Sequence, residues 1–259
     1  MAYRLGIVLS GGGARAVAHI GVLKALTERG LSADCIAGAS SGALVGALYA
    51  AGYADDEMLA FFHDKKPFKL SLLSVGKPGF IDTAKIRAGF LDYFPEDSFS
   101  ALSRKLFVTA TDIVNGRPAI FDSGSLISAI LASSSVPMVF TPTERDGRWY
   151  LDGGILNNFP VEPLLGTCDV IVGCYATSIR PIHREELTSS LSVLERSLEV
   201  GIYYNSRSKF HSCDVMIQPP GLASFGTFET RHLEEIADIG YQAALKQIGE
   251  IEDALASVE

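Results

Sequence analysis

Apolar positions along this chain change their period repeatedly. Residues 4–10 form a short, nearly continuous apolar run around Leu5, Ile7, Val8 and Leu9, which predicts a buried strand. Residues 14–29 follow with Val17, Ile20, Leu23 and Leu26 at helical spacing, predicting an amphipathic helix. A second apolar run at 34–39 predicts another strand, and the small residues from Ser41 to Ala51 predict a helix after it. The alternation continues with strands expected at 105–111, 117–121, 148–151, 169–175 and 214–218. Helices are expected at 55–64, 82–93, 123–133, 185–210 and 231–255. In the penultimate helix Leu187, Leu191, Leu194, Leu198 and Ile202 share one side, which predicts core packing.

Strands separated by helices imply βαβ units around a mostly parallel sheet. No repeat, low-complexity linker or composition shift marks a boundary. Residues 1–259 therefore read as one α/β domain, with its motifs between about residues 4 and 175 and C-terminal helices packed on them.

Composition narrows the picture modestly. With 259 residues, 47% of them hydrophobic and 20% charged, the chain can bury a large core without disulfides or a structural metal. A net charge of -8 disfavours nucleic acid as the main partner, and broad electrostatic attraction to anionic membranes, though not a local basic patch. The four cysteines, Cys35, Cys168, Cys174 and Cys213, form no CxxC pair, and Cys35 and Cys174 lie in apolar runs where buried reduced thiols are expected. There is no signal-peptide pattern and no apolar stretch of the roughly 18 residues that would span a bilayer. A cytoplasmic, metal-free and cofactor-free protein is the expectation, peripheral to a membrane at most. Residues 65–81 combine Lys65, Lys66, Lys69 and Lys77 with Phe68, Leu70, Leu72, Leu73 and Phe80. That mixture suits a lid or a transient membrane-surface contact, and equally a surface loop with its apolar side chains tucked beneath it. The sequence sets no oligomeric state.

Two loops carry candidate chemistry. Gly38-Ala39-Ser40-Ser41-Gly42 fits G-x-S-x-G between a strand and a helix, the setting of a nucleophile elbow, where small neighbours let the backbone turn sharply. Ser40 could instead simply cap the helix. Ser10-Gly11-Gly12-Gly13-Ala14-Arg15 also joins a strand to a helix, and consecutive glycines leave backbone N–H groups free to hold an oxyanion. The same loop matches the dinucleotide fingerprint through Gly11, Gly13 and Ala16. That reading also requires an acidic residue closing the second strand, and here Asp34 precedes the strand while Ser40 follows it.

An activated serine needs a base. In the Ser–Asp–His order the histidine comes last, leaving His183, His211 and His232, none of them in a loop directly after an expected strand. Asp152 follows the expected strand Trp149-Tyr150-Leu151 and precedes Gly153 and Gly154, so it can face a cleft, although Asp-Gly is also an ordinary turn.

Four ordered segments resemble the patatin-like phospholipase family: Gly11-Gly12-Gly13-Ala14-Arg15, Gly38-Ala39-Ser40-Ser41-Gly42, Ala132-Ser133-Ser134-Ser135-Val136-Pro137 and Asp152-Gly153-Gly154. The resemblance implies a three-layer α/β/α sandwich and a Ser40–Asp152 dyad, with Asp152 activating Ser40 directly. It implies oxyanion donors from Gly11, Gly12 and Gly13, supported by Arg15, Gly38, Gly42, Gly153 and Gly154. It also implies hydrolysis of acyl esters in phospholipids, lysophospholipids or simpler lipids. One departure is Ala16, where the family usually has glycine after its basic residue. A Ser–His–Asp esterase and a catalytically silent lipid-binding protein are the alternatives.

Overall fold

The computed structural model describes residues 3–64, 83–177, 179–227 and 229–258. Its centre is one sheet of β1 (Tyr3–Leu9), β2 (Cys35–Ala39), β3 (Lys105–Asp112), β4 (Arg117–Phe121), β5 (Thr143–Arg145), β6 (Arg148–Asp152), β7 (Cys168–Cys174) and β8 (Val215–Ile217). The strand order is β5-β6-β3-β2-β1-β7-β8, with β4 also paired to β3. From β8 through β3 the pairing is parallel, whereas β4 and β6 run antiparallel to β3, and β5 antiparallel to β6.

Helices cover both faces. They are α1 (Ala18–Glu28), α2 (Ser41–Ala51), α3 (Asp55–His63), α4 (Thr83–Leu91), α5 (Leu126–Ser133), α6 (Gly154–Asn157), α7 (Ser190–Arg207), α8 (Leu233–Leu245) and α9 (Ile248–Ala256). Alternate residues of the central strands divide between two cores. Ile7, Leu9, Ile36, Val170 and Val172 pack with α1, α2, α5 and α8 on one face. Val8, Cys35, Ala37 and Ile171 pack with Phe159, Val161, Leu164 and Tyr175 on the other, closed by Tyr203 and Phe210. Burial on both faces explains why β1 and β2 read as apolar runs rather than as alternating patterns. The architecture is the three-layer α/β/α sandwich.

Several boundaries differ from the expectation. The helix read over 14–29 opens as a 3-10 turn, Gly13–Val17, before α1. The segment 123–133 becomes helical only at Leu126, because the Ser125 hydroxyl accepts from the Ser128 N–H and sets the start there. Residues 185–210 hold a short 3-10 turn and then α7, capped by Ser189, and the span 231–255 is broken into α8 and α9. Strand β5 and the single turn α6 were not expected. One assignment is overturned: Leu187, Leu194 and Leu198 do not pack in the core but lie exposed, and Ile202 is only partly buried. Residues 65–81 lie outside the described residues, and among those described no helix is long and apolar enough to cross a membrane.

Candidate functional site

Strand β3 brings the two halves of the site together. Its residues 105–109 pair with β2, and its residues 110–112 pair with β6. Strand β4 pairs with residues 108–112, overlapping both partners, so β2 and β6 share the opposite edge of β3 and meet end to end. Ala39 sits beside Thr109 and Asp152 beside the next residue, Ala110. Ser40 and Asp152, far apart in sequence, therefore emerge at one point.

Ser40 occupies a strained conformation, φ 52° and ψ -130°, that few non-glycine residues adopt. The strain is held from several sides. Its N–H donates to the Ser133 hydroxyl at 2.8 Å, and its carbonyl accepts from Leu44 in the first turn of α2. Gly38 runs against the backbone of Ala43. Gly42 permits α2 to rest on β1, because a Cβ there would stand 2.4 Å from the carbonyl oxygens of both Leu9 and Ser10. The Ser40 hydroxyl does not cap α2. It donates instead to Asp152 Oδ2 at 2.6 Å.

Asp152 is buried and held at every polar atom. Its Oδ1 accepts from the Gly154 N–H at 2.7 Å, its N–H donates to the Ser135 carbonyl, and its carbonyl accepts from the Thr111 hydroxyl. The Gly153 N–H donates to the Ser133 carbonyl. Burial pushes the Asp152 carboxyl up to about 6, against the opposing hydrogen bonds from Ser40 and Gly154. At neutral pH it is still an ionised acceptor, yet far more basic than an ordinary aspartate.

The glycine loop lies directly against this pair. A Cβ on Gly11 would come within 3.0 Å of the Ser40 Cβ and 2.4 Å of Asn158 Oδ1, so only glycine lets the backbone approach so closely. The Gly11 carbonyl accepts from Thr177, and the Ala14 N–H donates to the Thr227 carbonyl. Gly13 has φ 59°. Among the described residues, no hydrogen bond takes the N–H groups of Gly11, Gly12 or Gly13. The Arg15 Nε donates to the Phe225 carbonyl at 2.7 Å.

His183, His211 and His232 are all exposed, and none bonds to Ser40 or Asp152. His232 faces Glu235 instead. The buried histidine is His19, whose ring bridges the Ser10 carbonyl and Cys174; burial lowers it to about 4 and keeps it neutral. Asp34 takes the N–H groups of Arg4 and Leu5, a structural task at the start of β1. Among the described residues no cluster of three metal-ligating side chains occurs. The positioning parts of Ser133 and Ser135 were missed by residue-level reasoning. Their signal is a run of hydroxyl side chains ending an apolar helix just before a proline.

Residues 7–165 match the sequence model of the patatin-like phospholipase family, a span containing the glycine loop, Ser40 and Asp152. The chain belongs to this family. Among its relatives, an uncharacterized NTE family protein of Mycobacterium tuberculosis is 39% identical over 169 residues, covering 63% of this chain and 46% of the relative. The lysophospholipase nte1 of Aspergillus fumigatus is 27% identical over 271 residues, covering 92% of this chain but 18% of its own length. The chain thus spans less than half the length of these relatives. In fold it is similar to VipD from Legionella pneumophila, with a TM-score of 0.55 at 15% identity, covering 99% of this chain and 67% of that one.

Proposed function

We propose that this patatin-like chain is a serine acyl hydrolase that cleaves carboxylic ester bonds of lipids. Ser40 is the nucleophile, Asp152 the base, and the N–H groups of Gly11, Gly12 and Gly13 the oxyanion donors. The observation that carries this reading is the 2.6 Å hydrogen bond from the strained Ser40 hydroxyl to the buried Asp152 carboxylate. Asp152 takes the proton as the serine oxygen attacks the ester carbonyl, and the glycine loop holds the negative charge that develops there. The proton then passes to the departing alcohol as the acyl-enzyme forms. Water, deprotonated by the same carboxylate, attacks the acyl-enzyme; collapse of the intermediate frees the fatty acid and returns the proton to Ser40. Gly38, Gly42, Gly153, Gly154 and Arg15 support the geometry, and beyond substrate and water the steps use only groups of the chain, without a cofactor.

Family membership and the lysophospholipase name of the fungal relative support a lipid ester as substrate. Phospholipids, lysophospholipids and simpler acyl esters all present the carbonyl that this constellation needs. The test runs the wild type, Ser40→Ala and Asp152→Asn side by side on lysophosphatidylcholine and a soluble nitrophenyl ester, with fluorophosphonate labelling. Both variants should lose activity by about 10³-fold or more, and labelling should vanish with Ser40. Full activity in Ser40→Ala would sink the proposal.

A further inference from the structure

Leu194 and Leu198 of α7 have no partner in the core. Val193, Leu194, Leu198 and Tyr204 are between 44% and 61% exposed. At helical spacing they share one side with Ser197, Gly201 and Asn205, and no charged residue interrupts that side. A helix side facing only water ordinarily carries charge. The opposite side faces the protein: Ser206 is fully buried, Tyr203 packs on Tyr175, and Arg196 donates to the Arg180 carbonyl.

Beside α7 lies a cavity of about 250 Å³ lined by Arg15, Arg180, Arg196, Glu199, Ile182 and Phe225, among others. Arg196 pairs with Glu199 and Arg180 with Glu186, so three guanidinium groups stand against two carboxylates in and beside that lining, one positive charge in excess. Arg15 and Phe225 tie this cavity to the glycine loop, because the adjoining Thr227 carbonyl takes the Ala14 N–H. An uncharged apolar face, an arginine-lined pocket and the glycine loop are thus neighbours.

We propose that the outer side of α7 docks on an anionic phospholipid bilayer, with the arginines of the adjoining cavity receiving lipid phosphates. Charge complementarity favours this occupant over a second copy of the chain. A two-fold contact centred on α7 would bring together two cavities that each carry one positive charge in excess, which like charges oppose. The net charge of -8 acts from farther away and is largely screened beyond about 8 Å at physiological ionic strength. The inference rests on the lipid-substrate reading above only for the choice of a bilayer, and it is tested by binding alone.

Ser40→Ala protein, which leaves vesicles intact, is sedimented with phosphatidylcholine vesicles and with mixed phosphatidylcholine–phosphatidylglycerol vesicles. Partitioning should be stronger on the mixed vesicles, and adding Leu194→Gln and Leu198→Gln should weaken it by about tenfold or more. Adding Arg180→Gln should remove the preference for the anionic lipid. Thermal unfolding of each variant, unchanged from its parent, shows that the fold is retained. Equal partitioning with and without the glutamines would overturn the proposal. So would a dimer that the glutamines convert to monomer, or binding that is lost only when residues 65–81 are deleted. None of these outcomes depends on esterase activity, so a failure of the dyad would be read separately.

Discussion

Replacing Asp152 by asparagine separates the proposed role of the carboxylate as base from what the carboxylate costs the fold. Burial lifts this carboxyl from 3.8 to about 6. That rise corresponds to about 3 kcal/mol of unfavourable free energy for holding the ionised group in the native state. Between the two values the native protein keeps a proton that the unfolded chain has released. Asp152 therefore weakens the fold as pH rises through that window, with the whole cost present above about 6. Asparagine has nearly the same shape and no charge, and its oxygen can still accept from Gly154. The variant should be inactive yet more stable than wild type, by up to about 3 kcal/mol near neutral pH, with the gain fading below about pH 4.

His19 acts in the opposite sense. Its lowered value of about 4 means that the unfolded chain takes up a proton first as pH falls, so its contribution rises with pH between about 4 and 6.5. The two contributions largely cancel in the wild-type profile, and only the difference between variant and wild type at each pH isolates Asp152. Urea unfolding followed by circular dichroism at several pH values measures that difference. Alongside it, wild-type kcat/KM on a soluble ester should climb with unit slope to a plateau above about pH 6. A variant less stable than wild type at neutral pH, or a stability difference flat across pH, would refute the burial argument.

Other substitutions probe the rest of the site. Ser133→Ala leaves the Ser40 N–H without its acceptor and should cost about 1–3 kcal/mol in thermal or urea unfolding, with a drop in kcat of about tenfold. In Gly42→Ala the new methyl would meet two carbonyl oxygens at 2.4 Å, so expression trials should give little soluble protein; a stable, active variant would contradict the packing described. His183→Asn, His211→Asn and His232→Asn should each keep kcat/KM within about twofold, since these surface side chains have no bond to the Ser40–Asp152 pair. A tenfold loss in any one of them would restore a histidine as the base.

The sequence made the layers legible because β1, β2 and β7 are buried on both faces and their apolar runs stand out between helical patterns. The two loops were legible for a local reason: tight turns restrict residue type at Gly11, Gly38 and Gly42 wherever they occur. What brings Ser40 to Asp152 is not local. It depends on two strands meeting along one edge of β3, and no periodicity encodes that register. The leucines of α7 show a second limit, since helical spacing tells which residues share a side but not which side turns inward. Strand β5 is only three residues long, too short to display alternation. The break between α8 and α9 at Gln247 carries neither proline nor glycine to announce it. His19 escaped notice because a buried histidine inside an apolar helix resembles any other core position.

The end-to-end meeting of β2 and β6 has a consequence for how such a site can change over time. The spacing between hydroxyl and carboxylate is measured out by consecutive positions of a central strand, Thr109 and Ala110, rather than by any loop. Insertions in the connections around β4, β5 or α7 leave that interval untouched. The surrounding segments can thus change while Ser40 and Asp152 stay in register. A single residue added between Thr109 and Ala110 would do the reverse, shifting one partner strand against the other and separating Ser40 from Asp152.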